Sequence, residues 1–273
     1  MQAILNHLAK PLLIAIAWTA LMGAAHADKL DDIRKAGVLR AAVFDGNPPF
    51  GSVDEKTHDI VGYDIDFAQA IADKIGVKLQ LVPTNPANRI PLLQSDKADL
   101  IVADVTITPE RAKVIDFSYP YFVTGQQFLV GVSAPDKLDA YAEARIGAVK
   151  GTTGEQALHT QFPKARVLAY DDLPLTLTAL RNGNVVAITQ DGSVLVGVLA
   201  GAPDKAKYKI LPDLLSREEI GIGVRKGEKA LLDQVNQTLL ELEKNGQAAQ
   251  IYDRWFGKGS KTPEPRNFKI TAQ

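Results

Sequence analysis

The chain contains no cysteine. That excludes a disulfide framework, a thiolate nucleophile and a Cys-based metal site. Histidine is scarce, with four in 273 residues, and two of them, His7 and His26, lie in an N-terminal segment unlike the rest. His58 falls in a polar stretch and His159 in a helical one; neither has an evident nucleophile beside it, and no HExxH spacing occurs. Neither charge is in excess, with 31 Lys+Arg against 32 Asp+Glu, so nucleic acid and anionic lipid are not expected partners. No GxxxxGK phosphate loop is present, and Gly221-Ile222-Gly223 reads better as small residues in a strand than as a dinucleotide fingerprint. No metal or organic cofactor is expected.

Long apolar runs are also missing after residue 27. Before it, Met1 to Ala27 has no acid, one Lys or Arg (Lys10), an apolar run of 14 residues from Leu12 to Ala25, and an A-x-A pattern at Ala25-His26-Ala27. This is a signal peptide by composition, placing the mature start at Asp28. An uncleaved anchor would need about 20 apolar residues. The remaining 246 residues carry 30 basic against 32 acidic side chains and can bury a full core as one or two domains.

Strand and helix patterns alternate along the mature chain. Strands are expected over 38–44, 77–82, 98–105, 128–132, 144–149, 167–170, 185–190 and 221–224. Helices are expected over 64–75, capped by Asp64, and over 91–95, 154–161, 173–182 and 228–245. Repeated β-α-β units imply parallel sheets covered by helices. Two extended apolar segments, Gly125–Val132 and Arg217–Val224, flank a central block with its own α/β pattern. The chain thus enters a second lobe and returns: 28–125 plus 220–257 form lobe 1, 126–219 lobe 2, and 258–273 a polar, loosely held tail. Ligand sites commonly lie between such lobes.

Residues 104–121, DVTITPERAKVIDFSYPY, carry the strongest local signal. Thr108-Pro109-Glu110 is a helix start, with Thr as N-cap, Pro at the first position and an acid in the first turn. Arg111 follows one turn in, near the strand end that holds Thr106. A hydroxyl and a guanidinium converging there suit a carboxylate, although a solvated surface Arg is the plainer alternative. A second anion site is offered by Lys150-Gly151-Thr152-Thr153-Gly154-Glu155, where Thr152 and Glu155 have capping-box spacing and open amides face outwards. Asp191, ending a buried strand, offers a partner for an ammonium group or else a simple helix cap. Asp104 lies near Thr106. A cationic and an anionic wall together suit a free α-amino acid.

The segments GYDIDFAQAIADKIG (62–76), NRIPLL (88–93), ADLIVADVTITPERAKVIDFSYPY (98–121), KGTTGEQAL (150–158) and TQDG (189–192) resemble the polar amino-acid-binding proteins of bacterial ABC importers, solute-binding protein family 3. The resemblance runs from about Asp28 to Gly257. It implies a two-lobed type II periplasmic-binding fold with two hinge strands, a periplasmic location, a free amino acid as ligand, an inner-membrane permease as partner, and a monomer without enzymatic activity. By position it gives Arg111 and Thr106 to the ligand carboxylate, Thr153, beside Thr152, to the same group from the second lobe, and Asp191 to the ammonium. Asp104 stands where many members have a small residue, and its carboxylate favours a cationic ligand unless it turns to solvent or a backbone N–H. Asn47 stands where many have an aromatic; Phe44 or Phe50 is a substitute, with the lobe core the preferred place for Phe50 because Pro48-Pro49 stiffens its approach. Asn88 and Arg89 are assigned to the pocket rim, or Arg89 to a surface salt bridge; Tyr170 and Val149 are expected near the ligand side chain. Two other readings share the fold: an exported cyclohexadienyl dehydratase using Asp104 as acid, and a binder that presents its ligand to a membrane sensor.

Overall fold

The computed structural model describes residues 29–272; the expected signal peptide over 1–27 lies outside the described residues. Two sheets organise the chain. The first has strand order Lys78–Pro83, Val38–Val43, Leu100–Thr106, Glu218–Arg225, Ile115–Phe117, with Phe122–Thr124 also pairing with Glu218–Arg225. Val38–Val43 runs parallel to both its neighbours, as β-α-β connections require. The second sheet has the order Arg166–Tyr170, Arg145–Val149, Ala187–Asp191, Gln126–Gly131, Tyr208–Ile210. A small three-stranded sheet, Gly46–Asn47, Gly51–Val53 and Ile60–Val61, sits beside the first. The architecture is a two-lobed α/β fold. Among the described residues no helix is long and apolar enough to cross a membrane.

The two lobes meet at a pair of crossing strands. Thr124 pairs with Glu218 in the first sheet, while Gln126 pairs with Asp191 in the second, so the chain changes sheets at Gly125. A Cβ at Gly125 would lie 2.1 Å from the Ser216 carbonyl oxygen, so the two crossovers approach as closely as backbone allows. Leu100–Thr106 is buried along its whole length, and its end delivers Asp104 and Thr106 to the space between the lobes.

Local signals account for most elements. Thr108 caps Pro109–Ala112 by accepting from the Arg111 N–H at 3.2 Å, and Asp172 caps Leu173–Arg181 by accepting from the Leu175 N–H at 2.8 Å. The helix expected to start at Asp64 runs Tyr63–Ile75, and Asp64 does not cap it. Its carboxylate is buried, accepting from the Tyr121 hydroxyl at 2.5 Å and the Asp104 N–H at 2.9 Å. Helices Gly192–Gly201 and Gln247–Phe256 exceed what periodicity assigns.

The C-terminal tail is packed, not loosely held. Ile270 is 2% exposed, Phe268 meets Phe122 edge to face with ring centroids 5.3 Å apart, and Arg266 donates to both oxygens of Glu243 at 3.1 and 2.5 Å. Two apolar side chains close over the aromatic cluster of Phe50, Tyr63, Phe122, Tyr252 and Phe256, which would otherwise be wet. Phe50 is fully buried in that cluster, as expected.

Candidate functional site

Between the lobes, five charged side chains are each at least nine-tenths buried: Arg89 and Arg111, and Asp104, Asp191 and Glu218. Few proteins bury so much charge without a use, because each ion loses its hydration.

The first lobe supplies Asp104 and Thr106 from one strand end. Asp104 has φ +44, in the left-handed region, beside an irregularity in the pairing between Gly221 and Gly223. Its Oδ2 accepts from Asn47 Nδ2 at 3.1 Å; no donor meets its buried Oδ1, and the Asp191 carboxyl lies within hydrogen-bonding reach of Asp104. Asn47 therefore acts on Asp104 and does not replace an aromatic. The Thr106 hydroxyl donates to Glu218 Oε2 at 2.7 Å. Arg111 spans the gap, donating from Nη1 to the Thr106 carbonyl and from Nη2 to the Gly151 carbonyl of the other lobe, both at 2.9 Å. Its guanidinium thus borders the cavity from behind two carbonyls; it is not among the residues lining it.

The second lobe supplies Thr152, Thr153 and Asp191. Thr152 caps Thr153–Gln161, accepting from the Glu155 N–H at 3.2 Å and donating to the Val149 carbonyl at 2.7 Å. Glu155 closes the turn on the Gly151 N–H, one residue before the partner its spacing predicts. The Thr153 hydroxyl donates to Glu218 Oε2 at 2.7 Å. Asp191 leads into Gly192–Gly201, yet its side chain makes no cap bond; it accepts from Gln126 Nε2 at 3.1 Å.

One small cavity gathers Phe44, Arg89, Asp104, Thr106, Thr152, Thr153 and Asp191, with Pro86, Gln126 and Gln190. Its volume is about 10 Å³, room for a single water, so any larger guest enters only as the lobes part. A second cavity of about 70 Å³ adjoins it beyond Phe44, bounded by Asn47, Val149 and Leu173 among others. Tyr170, expected at the ligand, lines neither; it lies on the outer strand of the second sheet, bonded through its carbonyl to the Lys150 N–H. Asn88 faces a separate surface hollow.

Two members, Gln126 and Glu218, were not legible as site residues, and a third, Arg89, was legible only as one of two alternatives. Arg89, for which a surface salt bridge was the plainer expectation, is 3% exposed and donates to the Ala103 and Asp104 carbonyls at 2.7 and 3.0 Å. Its guanidinium lies 5.4 Å over the Phe44 ring. Gln126 is signalled only as a polar residue in one apolar crossover, and Glu218 only as an acid within the other.

Burial governs the protonation of the site. It pushes Asp191 well above the ordinary carboxylate range, with Asp104 and Glu218 adding repulsion, and it raises Asp104 as well. Asp64, behind Asp104, is raised to about 8 by burial and then by Asp104. Burial and then Arg111 lower Arg89 to about 9. The donors that suit a carboxylate are already committed, the Thr106 and Thr153 hydroxyls to Glu218 and the guanidiniums to backbone carbonyls, and they stand opposite acceptors for a cation at Asp104 and Asp191.

Comparison with known proteins gives the family. The "ABC transporter glutamine-binding protein GlnH" of Bacillus subtilis is 35% identical over 212 residues, 76% of this chain and 77% of that protein. The crystal structure of a cysteine-binding protein from Campylobacter jejuni matches with TM-score 0.80 and 30% identity, covering 89% of this chain and 97% of that one. That of AncCDT-1, an ancestral amino acid-binding protein described as a precursor of cyclohexadienyl dehydratase, matches with TM-score 0.77 and 32% identity over 84% of this chain and 100% of the other. The family model of bacterial extracellular solute-binding proteins, family 3, covers residues 39–258, and this chain belongs to that family.

Proposed function

We propose that this protein is a periplasmic receptor that closes on a free amino acid and delivers it to the permease of an ABC importer. One observation carries the reading: buried groups of both signs face one another from two lobes that exchange chain through two crossing strands. A solute with a single charge leaves the other wall desolvated and unmatched, whereas an α-amino acid presents both charges on one carbon. Thr106, Arg111 and the helix start at Thr152–Thr153 take the carboxylate; Asp191 takes the ammonium. Asp104, beside Asp191 and with no donor against its Oδ1, favours a polar or cationic side chain. The names of the relatives, glutamine-binding and cysteine-binding among them, support the ligand class. Closure is driven by the ligand's stronger binding to the closed form. The chain is exported by the segment over 1–27 and works as a monomer.

The test is calorimetry of the mature protein against the common amino acids. Wild type is expected to bind at least one; Arg111→Ala should bind it at least a hundredfold more weakly, a loss of about 3 kcal/mol. Equal affinity in the variant would remove Arg111 from the site. A second reading has one observation in its favour: a buried Asp104 whose carboxyl is held towards its protonated form suits a general acid. Dehydrated product from prephenate or arogenate would establish it.

A further inference from the structure

The hydroxyls assigned above to a ligand carboxylate already serve one. Thr106 Oγ1, from the first lobe, and Thr153 Oγ1, from the second, both donate to Glu218 Oε2 at 2.7 Å. The hydroxyl of Ser216, on the returning crossover, donates to Glu218 Oε1, also at 2.7 Å. Glu218 is 5% exposed, so little water competes for these bonds. It stands at the first position of the strand Glu218–Arg225, opposite Thr124 and one residue from the change of sheet at Gly125.

A hydroxyl has a single proton to donate. While Thr106 and Thr153 give theirs to Glu218, neither has one for a carboxylate arriving from solution. A second carboxylate placed against the same pair would also meet the negative charge of Glu218 at close range.

We propose that Glu218 is an internal rival of the ligand's carboxylate: it ties the two lobes together through Thr106 and Thr153 and must release both before a ligand can take them. The inference rests on the amino-acid reading for the identity of the displaced group, but the cross-lobe tie stands without it. The consequence is a receptor that holds itself closed by its own acid. Its apparent affinity is reduced by whatever fraction of molecules is so tied. A ligand lacking a carboxylate has no means of exchange for Glu218, so the tie also discriminates against free amines. Glu218 acts on affinity from the pivot, without adding a contact to the ligand.

Two substitutions test this, each in the full mature chain after unfolding and refolding to strip any bound solute. Glu218→Gln keeps size and shape but removes the charge, and Glu218→Ala removes the acceptor. Thr153→Val, which deletes one of the tied hydroxyls, serves as a check should the Glu218 variants fold poorly by circular dichroism. Small-angle scattering without added ligand reads lobe separation; calorimetry with each amino acid bound by wild type reads affinity. The expected result is a larger radius of gyration for Glu218→Ala and Thr153→Val, a smaller increase for Glu218→Gln, whose amide oxygen still accepts, and about tenfold tighter binding in Glu218→Ala. An unchanged radius of gyration overturns the tie. Unchanged or weaker binding in Glu218→Ala also overturns the rivalry, and weaker binding would make Glu218 a residue that orients the two hydroxyls for the ligand. If wild type binds none of the amino acids, the proposed function fails while the scattering comparison still judges Glu218.

Discussion

Asp64, Asp104 and Asp191 carry carboxyls that the fold holds towards their neutral forms, and the sign of the resulting pH dependence follows. In the unfolded chain they ionise near pH 4. In the folded chain burial raises all three, Asp64 to about 8. Between those values the folded state binds more protons than the unfolded state, so stability is greatest near pH 4 and falls as pH rises towards 8. Below that window the opposite case takes over. Asp96 is lowered to about 2 by its hydrogen bond from Lys29 and then by Arg225, and its ion pairs contribute stability that is lost as pH falls from 4 to 2. The melting temperature of wild type is therefore expected to drop by roughly 5 °C or more between pH 5 and 8, and Asp64→Asn should flatten that slope. Parallel slopes for the two proteins in a thermal titration would show that Asp64 is ionised throughout. None of this is readable along the chain. Asp64 looks like a helix cap because caps are local, whereas its partners Tyr121 and Asp104 lie 57 and 40 residues away.

Elements whose cause is local were legible, and elements whose cause is tertiary were not. Thr108-Pro109 and Thr152 cap their helices because the bonds span three residues, and the buried strand ending at Thr106 declares itself by an unbroken apolar run. Glu218 meets Thr106 across 112 residues and Thr153 across 65, so no window along the sequence reveals the trio. Arg89 resembles a surface residue until Phe44 and the Ala103–Asp104 carbonyls are brought over it. The helix Gly192–Gly201 hides behind three glycines; at one of them, Gly197, a Cβ would come within 2.4 Å of the Pro48 carbonyl oxygen. The crossover gives the sharpest test at this scale. Gly125→Ala would force a methyl to 2.1 Å from the Ser216 carbonyl and is expected to cost about 1–3 kcal/mol in urea unfolding. A variant as stable as wild type would mean that the two crossovers separate freely.

At the scale of the molecule, the tail changes how the two lobes are joined. After Gln247–Phe256 the chain runs back over the aromatic cluster of the first lobe, yet Glu264 within it accepts from Ser193 Oγ of the second-lobe helix Gly192–Gly201 at 2.7 Å. A third strand of connection thus accompanies the two crossovers. Composition alone makes this stretch look dispensable, since it is polar with two prolines; its two apolar side chains decide otherwise. Ile270→Ala is expected to cost about 2–5 kcal/mol, because the side chain is almost fully enclosed. A melting temperature within a degree of wild type would return the tail to the status of an appendage.

The change of sheet at one residue has a mechanical corollary. Thr124, two positions before Gln126, is in register with Glu218, and Gln126 is in register with Asp191, whose carboxylate it also holds. No lever arm separates the change of sheet from the Asp191 carboxyl in the cleft, so any rotation of one sheet against the other carries that carboxyl with it.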